Sequence, residues 1–177
     1  MRDWLSIATG ALVTVSLVGP SGAADSQTAC HKASGDEAIA ACSLWIKIHP
    51  KDAVAINNRG AAYATKGDHE RAIIDYNEAI RLNPKFAVAF KNRGSAYDKK
   101  GDYDRAIVEY NEAIRLDPHC ADAFNHRGTA YFQKGDYDRA IADYSEAIRL
   151  DPQHALALNN RGFTYVAKAE YDRAIAD

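Results

Sequence analysis

A repeat with a period of 34 residues dominates this chain of 177 residues. An Arg-Gly pair recurs at that interval, beginning at Arg59, Arg93, Arg127 and Arg161. A proline keeps the same interval, at Pro50, Pro84, Pro118 and Pro152. The segments 87–120 and 121–154 are identical at 23 of their 34 positions. Because a unit of this size cannot bury its apolar face alone, the repeat predicts a solenoid of stacked units.

Each unit predicts two helices joined by a tight turn. In the unit 87–120, residues of the first helix recur at spacings of four and three, at Phe90, Gly94 and Tyr97. An amphipathic stripe marks the second helix, at Ala106, Ile107, Tyr110, Ala113 and Ile114. Between the helices, Gly101 permits the left-handed conformation that ends a helix, and Asp102 can cap the next one. Pro118 then ends the second helix.

A helix-turn-helix unit of 34 residues with glycine, tyrosine, alanine and proline at these places resembles the tetratricopeptide repeat. The resemblance divides residues 53–177 into full units at 53–86, 87–120 and 121–154 and an incomplete unit at 155–177. It implies an all-α fold, a right-handed superhelical solenoid. The arginine column departs from the family, which usually has an apolar residue there. Ala169-Glu170 replaces Gly-Asp in the fourth turn, and we expect it to strain or loosen that turn by about 1 kcal/mol.

The two ends of the array differ from its middle. Residues 27–52 match the second helix of a unit and its terminal Pro50, so they predict a shortened, degenerate unit that caps the stack. A complete fourth unit would end at residue 188, whereas the sequence ends at Asp177. Either the chain is truncated, or this end docks on a partner or supports self-association with a second copy.

The N-terminal segment differs in composition from the repeats. A basic start at Arg2 precedes an apolar run from Trp4 to Gly19 and then small residues. This layout predicts a secretory signal peptide over 1–23, cleaved after Ala23 or Ala24. The alternative is an uncleaved anchor, but the run is shorter than the ~20 residues that span a bilayer. We expect an exported protein, periplasmic or secreted, with no stable membrane insertion after cleavage.

The three cysteines of the chain are interpreted in the light of the expected export. Cys30 and Cys42 fall on the two predicted helices of the degenerate unit. Because exported proteins meet an oxidising compartment, we predict a disulfide between them. The alternative is a pair of reduced cysteines that pack as small apolar side chains. Cys120 remains, in a turn between units, and we interpret it as an incidental free thiol.

Composition and motifs argue against several classes of function. The chain has 22 Lys and Arg against 24 Asp and Glu, a net charge of −2, whereas a nucleic-acid partner favours a basic surface. The histidines show no metal-ligand spacing, and the chain has no phosphate loop, dinucleotide fingerprint or nucleophile elbow. We therefore predict no catalytic residue, no metal and no cofactor. The paired aspartates at the turns are interpreted as helix caps rather than catalytic dyads, at Asp102 and Asp104 and at Asp136 and Asp138.

A column of acidic residues accompanies the arginine column. It runs along the second helices, at Asp75, Glu109 and Asp143. Arginine stems can pack between units while their guanidinium groups bind carboxylates. We therefore predict a ladder of ion pairs between neighbouring repeats. Binding of a ligand by these arginines is the alternative.

The positions at which the second and third units differ trace one face of the first helix. Packing positions must repeat if similar units stack, so this variable face is the one that does not pack. In the tetratricopeptide family that face lines the concave groove that holds a peptide. The groove residues predicted in this way are Asn57, Asn58, Lys91, Asn92, Ser95, Asp98, Asn125, His126, Thr129, Phe132, Asn159 and Asn160.

Four of these residues occupy equivalent places in successive units, at Asn58, Asn92, His126 and Asn160. An asparagine amide both donates and accepts hydrogen bonds, so such a column can pair with the backbone of an extended peptide. The alternative is that the amides are solvated or bond one another along the stack. The clamp by which some relatives bind acidic C-terminal tails is not reproduced, since Lys91 is the one basic residue in the neighbouring column of Asn57, Lys91, Asn125 and Asn159.

These features predict a non-enzymatic adaptor that binds an extended peptide segment of a partner protein. The alternatives are a structural or oligomerisation scaffold and an accessory domain of an envelope enzyme complex. A defined groove ligand would favour the adaptor, and an exposed last helix would favour the scaffold.

Overall fold

The computed structural model of the chain describes residues 27–31 and 34–169. Residues 27–31 are helical, and eight longer helices and no strand follow in the described part of the chain. Their bounds are α1 (Gly35–Ile48), α2 (Ala53–Thr65), α3 (His69–Leu82), α4 (Ala87–Lys99), α5 (Tyr103–Leu116), α6 (Ala121–Gln133), α7 (Tyr137–Leu150) and α8 (Ala155–Ala167). The predicted signal peptide, 1–23, and the last residues of the fourth unit, 170–177, lie outside the described residues.

The helices stack in chain order. The first repeat contains α2 and α3, the second α4 and α5, the third α6 and α7, and α8 opens the fourth. Each helix from α2 to α7 packs against the helix before it and the helix after it. The first helices of successive repeats also contact one another, whereas α3, α5 and α7 do not. The first helices therefore line the inner side of the array, and the second helices lie on its outer side.

A glycine and an aspartate form the turn inside each repeat. A glycine with φ between 76° and 79° follows the first helix, at Gly67, Gly101 and Gly135. Asp102 accepts a hydrogen bond from the backbone N–H of Arg105 at 3.1 Å, which caps α5. Asp68 and Asp136 cap α3 and α7 in the same way. The predicted capping role of the turn aspartates Asp102 and Asp136 is thus confirmed.

The fourth turn has an alanine where the other turns have glycine. Ala169 adopts φ 62° and is the only non-glycine residue with positive φ in residues 27–31 and 34–169. A Cβ atom makes this left-handed conformation unfavourable. The strain expected from the sequence therefore falls on this residue.

Small residues bring the two helices of each repeat into close contact. A Cβ atom on Gly94 would lie 2.7 Å from Cε1 of Tyr110, closer than non-bonded carbon atoms approach. The Tyr110 side chain is fully buried against α4. The same arrangement recurs as Gly60 with Tyr76 and Gly128 with Tyr144. Each tyrosine thus fills the space that the missing glycine side chain leaves.

The N-terminal unit packs on the first repeat through α1 and α2. Cys30, in the helical residues 27–31, and Cys42 of α1 are paired through their sulfur atoms at 2.08 Å. Both side chains are buried against α2. The Nε1–H of Trp45 donates to Asp52 at 2.8 Å, and Asp52 in turn caps α2. That the cysteine pair is oxidised in the cell stays a prediction.

Candidate functional site in the inner groove

The inner faces of α2, α4, α6 and α8 form the groove of the array, and all twelve predicted groove residues lie on these helices. Their exposure differs. Asn57 and Asn125 are buried, Asn159 is exposed, and the other nine are partly exposed. Ten of the twelve are therefore accessible to a ligand.

Two of the predicted groove asparagines lie between repeats. The amide Nδ2 of Asn92 donates to Oδ1 of Asn57 at 3.0 Å, and Nδ2 of Asn160 donates to Oδ1 of Asn125 at 3.0 Å. Asn57 and Asn125 are only 4% and 5% exposed. The expectation that these two line the groove surface is therefore corrected: stacking of the next first helix encloses them, and they hold the next repeat's amide in place.

The remaining asparagines keep hydrogen-bonding capacity toward the groove. Each amide has two N–H donors and two oxygen lone pairs. Asn92 and Asn160 each use one donor in the bonds between repeats, and Asn58 accepts from Nδ2 of Asn57 at 3.4 Å. A backbone segment in the groove can therefore still pair with half-buried amides on α2, α4 and α8.

A charged cluster replaces the asparagine pair between the second and third repeats. Nζ of Lys91 lies 3.1 Å from one Asp122 carboxylate oxygen, and Nε2 of His154 lies 3.3 Å from the other. Burial alone would raise the pKa of Asp122, but the hydrogen bond and charge of Lys91 hold it below its ordinary value. The positive charge of Lys91 is thus already neutralised within the groove.

His126 stands where the other repeats have asparagine. Its ring meets the edge of the Tyr110 ring, with 5.8 Å between the centroids. Burial, and then the charge of Lys91, lower the pKa of His126, against an opposing effect of Asp122. The ring is therefore neutral near pH 7 and contributes a polar, uncharged face to the groove.

Three buried polar atoms of the second repeat have no hydrogen-bond partner within 3.5 Å, namely Nε of Arg93, Oδ1 of Asp98 and the hydroxyl of Tyr110. Burial raises the pKa of Asp98, and the charge of Lys99 opposes this effect. In the third repeat the equivalent tyrosine hydroxyl, that of Tyr144, donates to Oγ1 of Thr129 at 3.4 Å. Ser95 stands at the position of Thr129, and its side chain lowers the pKa of Tyr110 against the effect of burial.

Aromatic side chains extend the groove toward the fourth repeat. The rings of Phe132 and Phe163 lie 5.6 Å apart, and Phe132 also packs against Tyr137 at 5.3 Å. Phe163 is absent from the predicted groove residues. The signal that could have found it is its equivalence to the predicted residues Ser95 and Thr129, which stand 68 and 34 positions earlier.

The arginine column binds carboxylates within its own repeat. The pairs are Arg59–Asp75, Arg93–Glu109 and Arg127–Asp143, at 2.7–2.8 Å. The prediction that these ion pairs join neighbouring repeats is therefore wrong. Because the two helices of a repeat run in opposite directions from the turn, residues eight before and eight after Gly101 lie opposite each other.

The second arm of each guanidinium does cross to the preceding repeat. Nη1 of Arg93 donates to Oδ1 of Asn77 at 2.6 Å, and Nη1 of Arg127 donates to Oδ1 of Asn111 at 2.7 Å. Each of these arginines thus connects three helices. The guanidinium groups are used inside the scaffold, which favours a structural role over ligand binding.

A second ladder, which the sequence reasoning missed, joins neighbouring repeats near their turns. A lysine before each turn pairs with an acidic residue 30 positions earlier, as Lys66–Asp36, Lys100–Glu70, Lys134–Asp104 and Lys168–Asp138. Because the acidic partners are exposed, each pair contributes little stability by itself. The constant spacing across units, rather than within one unit, is the signal that could have found this ladder.

Three further kinds of feature bear on function, namely groups of metal-binding side chains, membrane-spanning helices and free thiols. Among residues 27–31 and 34–169, no three His, Cys, Asp or Glu side chains are arranged to hold a metal ion. No helix in these ranges is long and apolar enough to cross a membrane. Cys120 is a half-buried free thiol at the N-terminus of α6.

Comparisons with known proteins identify the repeat. The tetratricopeptide-repeat profiles match residues 53–86, 91–155 and 127–177. No curated protein sequence matches the chain. The crystal structure of MamA superposes with a TM-score of 0.72 at 28% identity, over 80% of this chain and 82% of that chain. MamA residues 41 to the end from Desulfovibrio magneticus RS-1 share the fold, with a TM-score of 0.76 at 24% identity over 86% of each chain.

Two peptide-bound structures are also similar. The first TPR of Spaghetti (RPAP3) bound to the HSP90 peptide SRMEEVD has a TM-score of 0.65 at 27% identity, over 67% of this chain and 94% of that chain. The second TPR domain of human RPAP3 with the HSP70 peptide SGPTIEEVD has a TM-score of 0.62 at 30% identity, over 66% and 96%.

The structure and these comparisons confirm the predicted fold class, an all-α solenoid of helix-turn-helix repeats. Proteins built from such repeats are protein-interaction modules and are generally not enzymes. The chain belongs to the tetratricopeptide-repeat family.

Proposed function

We propose that this protein is an exported adaptor whose inner groove binds an extended segment of a partner protein. The observation that carries the proposal is the row of half-buried amides on the first helices, Asn58, Asn92 and Asn160, which retain hydrogen-bonding groups after their bonds to each other are counted. An extended backbone offers donors and acceptors at regular intervals, so it can pair with such a row whatever its side chains are.

Similar structures support a peptide as the ligand. The RPAP3 repeats at 27% and 30% identity each hold a short peptide. Both of those peptides end in EEVD, a sequence with three carboxylate side chains. In this chain Lys91 is paired with Asp122, so it does not offer a free positive charge to such a tail. We therefore propose a partner segment that does not end in a cluster of acidic residues.

The N-terminal sequence supports an extracytoplasmic location. The apolar segment before Ala23 and the pairing of Cys30 with Cys42 both fit a protein that folds in an oxidising compartment. The partner would then be another envelope or secreted protein.

Selection from a displayed library of short random peptides tests the groove. We expect the parent protein to enrich a set of peptides. Asn58→Ala removes one amide of the row and Asn159→Ala removes the groove amide next to Asn160, and together they should weaken binding about tenfold, a loss of ~1.4 kcal/mol from unpaired backbone groups of the peptide. Asn159 is exposed on α8, and Asn58 contributes only one bond of 3.4 Å to the scaffold. The double variant should therefore fold normally.

Gln153→Ala is the matched control, because it removes an exposed amide from a turn outside the groove. Its binding should equal that of the parent. If the groove variant binds the selected peptides as tightly as the parent does, the ligand surface lies elsewhere.

A further inference from the structure

The first and second repeats meet around a cavity of about 350 Å³, beside the turn of the first repeat. The end of α2 contributes Ala64 to its lining, and the start of α3 contributes His69. Ser95 and Lys99 of α4 line the opposite side. Lys99 is exposed, and Ser95 and His69 are partly exposed. The cavity is therefore open to solvent.

Aromatic rings occupy the equivalent place between the third and fourth repeats. Three lining residues of the cavity have an aromatic counterpart 68 positions later: Ala64 and Phe132, His69 and Tyr137, and Ser95 and Phe163. The centroid of the Phe132 ring lies 5.3 Å from that of Tyr137 and 5.6 Å from that of Phe163, within the ~4.5–7 Å at which aromatic rings pack. The smaller side chains of the first junction therefore leave open a space in which this fold elsewhere packs aromatic rings.

The cavity lies next to the amide row of the groove. Ser95 follows Asn92 by three residues on α4, so the two side chains lie on the same face of that helix. Ser95 is also one of the predicted groove residues. A peptide backbone that pairs with Asn92 would therefore pass the cavity, and one of its side chains could enter.

We propose that this cavity binds an aromatic side chain of the partner segment. The His69 ring offers a surface on which an aromatic ring can pack, and Ala64 and Ala96 supply apolar walls. The ammonium group of Lys99 can bind the face of such a ring. The volume is at the lower end of the ~300–1,000 Å³ of pockets that bind small molecules, so it suits a single large side chain. The proposal rests on the groove being the peptide site and specifies which side chain that site selects.

A displayed library of short random peptides provides the first test. Peptides selected by the parent should be enriched in phenylalanine, tyrosine or tryptophan at one position relative to the unselected library. Ala64→Phe with His69→Tyr gives the first repeat the residues of the third and should fill the cavity. This filled variant should lose the aromatic enrichment, and its melting temperature should equal or exceed that of the parent because the added rings bury apolar surface.

Ile74→Phe with Val108→Tyr is the matched control. It also adds two aromatic rings, but at exposed positions of the outer helices α3 and α5. The control should select the same peptides as the parent.

A selected peptide and its analogue with alanine in place of the aromatic residue test the parent directly. By calorimetry, the parent should bind the analogue about tenfold more weakly. In the complex of the parent with the selected peptide, nuclear Overhauser effects should connect the protons of the peptide ring to the methyl groups of Ala64 and Thr65, which both line the cavity. This measurement decides the proposal even if the filled variant melts below the parent.

The outcomes separate the two proposals. Selected peptides without an aromatic preference, a preference that the stably folded filled variant retains, or ring contacts at another place would overturn the role of the cavity and leave the groove function standing. If the parent selects no peptide at all, the proposed function fails and this inference fails with it.

Discussion

Arg93 binds Glu109 through Nη2 alone, at 2.7 Å, while its Nε is buried without a partner. In the first repeat, Arg59 donates to Asp75 through both Nε and Nη2, each at 2.8 Å. The shorter aspartate side chain presents both oxygens to the guanidinium edge. The extra methylene of Glu109 turns one oxygen away, so the second repeat has a weaker form of the same link.

Glu109→Asp should therefore stabilise the protein. The shorter side chain allows a two-point contact and pairs the buried Nε of Arg93, which we expect to raise the free energy of unfolding by about 1 kcal/mol. Urea denaturation followed by circular dichroism measures the change. The reverse substitution in the third repeat, Asp143→Glu, should lower stability by a similar amount. A Glu109→Asp variant with a lower free energy of unfolding than the parent would show that the unpaired Nε of Arg93 does not destabilise the protein.

Ala169→Gly should relieve the strain in the fourth turn. Glycine adopts the left-handed conformation without the Cβ penalty that Ala169 has at φ 62°, so the free energy of opening of α8 should rise by about 1 kcal/mol. Hydrogen exchange of the α8 amides measures this local effect. Gly135→Ala, at φ 78° in the third turn, is the converse variant and should speed exchange in α6 and α7. Unchanged exchange in both variants would contradict the strain.

Asn92→Ala should lower stability as well as affect binding. It removes the donor to Asn57, whose oxygen is buried between the first and second repeats, and leaves that oxygen unpaired. We expect a loss of about 1–2 kcal/mol in thermal or urea unfolding. Asn58→Ala is the comparison, because it removes only a bond of 3.4 Å and should cost less. Equal losses in the two variants would argue against a specific Asn57–Asn92 link.

His126 should make the folded state sensitive to mild acid. Its folded pKa is lowered from 6.5, chiefly by burial, so the unfolded chain binds its proton more readily. The contribution of neutral His126 to the free energy of unfolding is therefore fully present above about pH 6.5. It is lost as the pH falls from there toward the pKa of the folded state. His126→Asn, which restores the residue of the other repeats, should lose less stability between pH 7 and pH 5 than the parent does. Parallel pH profiles of the two proteins would show that His126 is not the group responsible.

Intact mass after expression with export tests the N-terminal prediction. We expect a mature chain that begins at Ala24 or Asp25, in which Cys30 and Cys42 are joined. Alkylation without reductant should then modify Cys120 alone. A product that retains Met1 would contradict cleavage, and modification of all three cysteines would contradict the disulfide.

The repeat period and its turn residues were sufficient to predict the helices and the caps. The partners of the arginines were predictable in part: Arg93 and Glu109 each stand eight residues from Gly101, and that symmetry places them on facing helices of one repeat. We predicted ion pairs between repeats because the arginine and carboxylate columns alone do not show whether a pair belongs to one repeat or to two. The two helices of one repeat face each other across the turn, and this arrangement decides the contact.

The groove was harder to predict, because burial there depends on how closely successive first helices stack. Asn57 and Asn58 are adjacent in sequence and both polar, yet the next helix encloses only Asn57. The burial of Oδ1 of Asp98 follows from the same packing, since the sequence shows the side chain but not which polar groups it reaches.

The three-helix links made by Arg93 and Arg127 have a mechanical consequence. Widening the groove would break the hydrogen bonds from Arg93 to Asn77 and from Arg127 to Asn111, on the outer side of the preceding repeats. These bonds therefore oppose a change in the curvature of the array. The partner segment proposed above would then meet a preformed groove, and its association would require little further ordering of the protein.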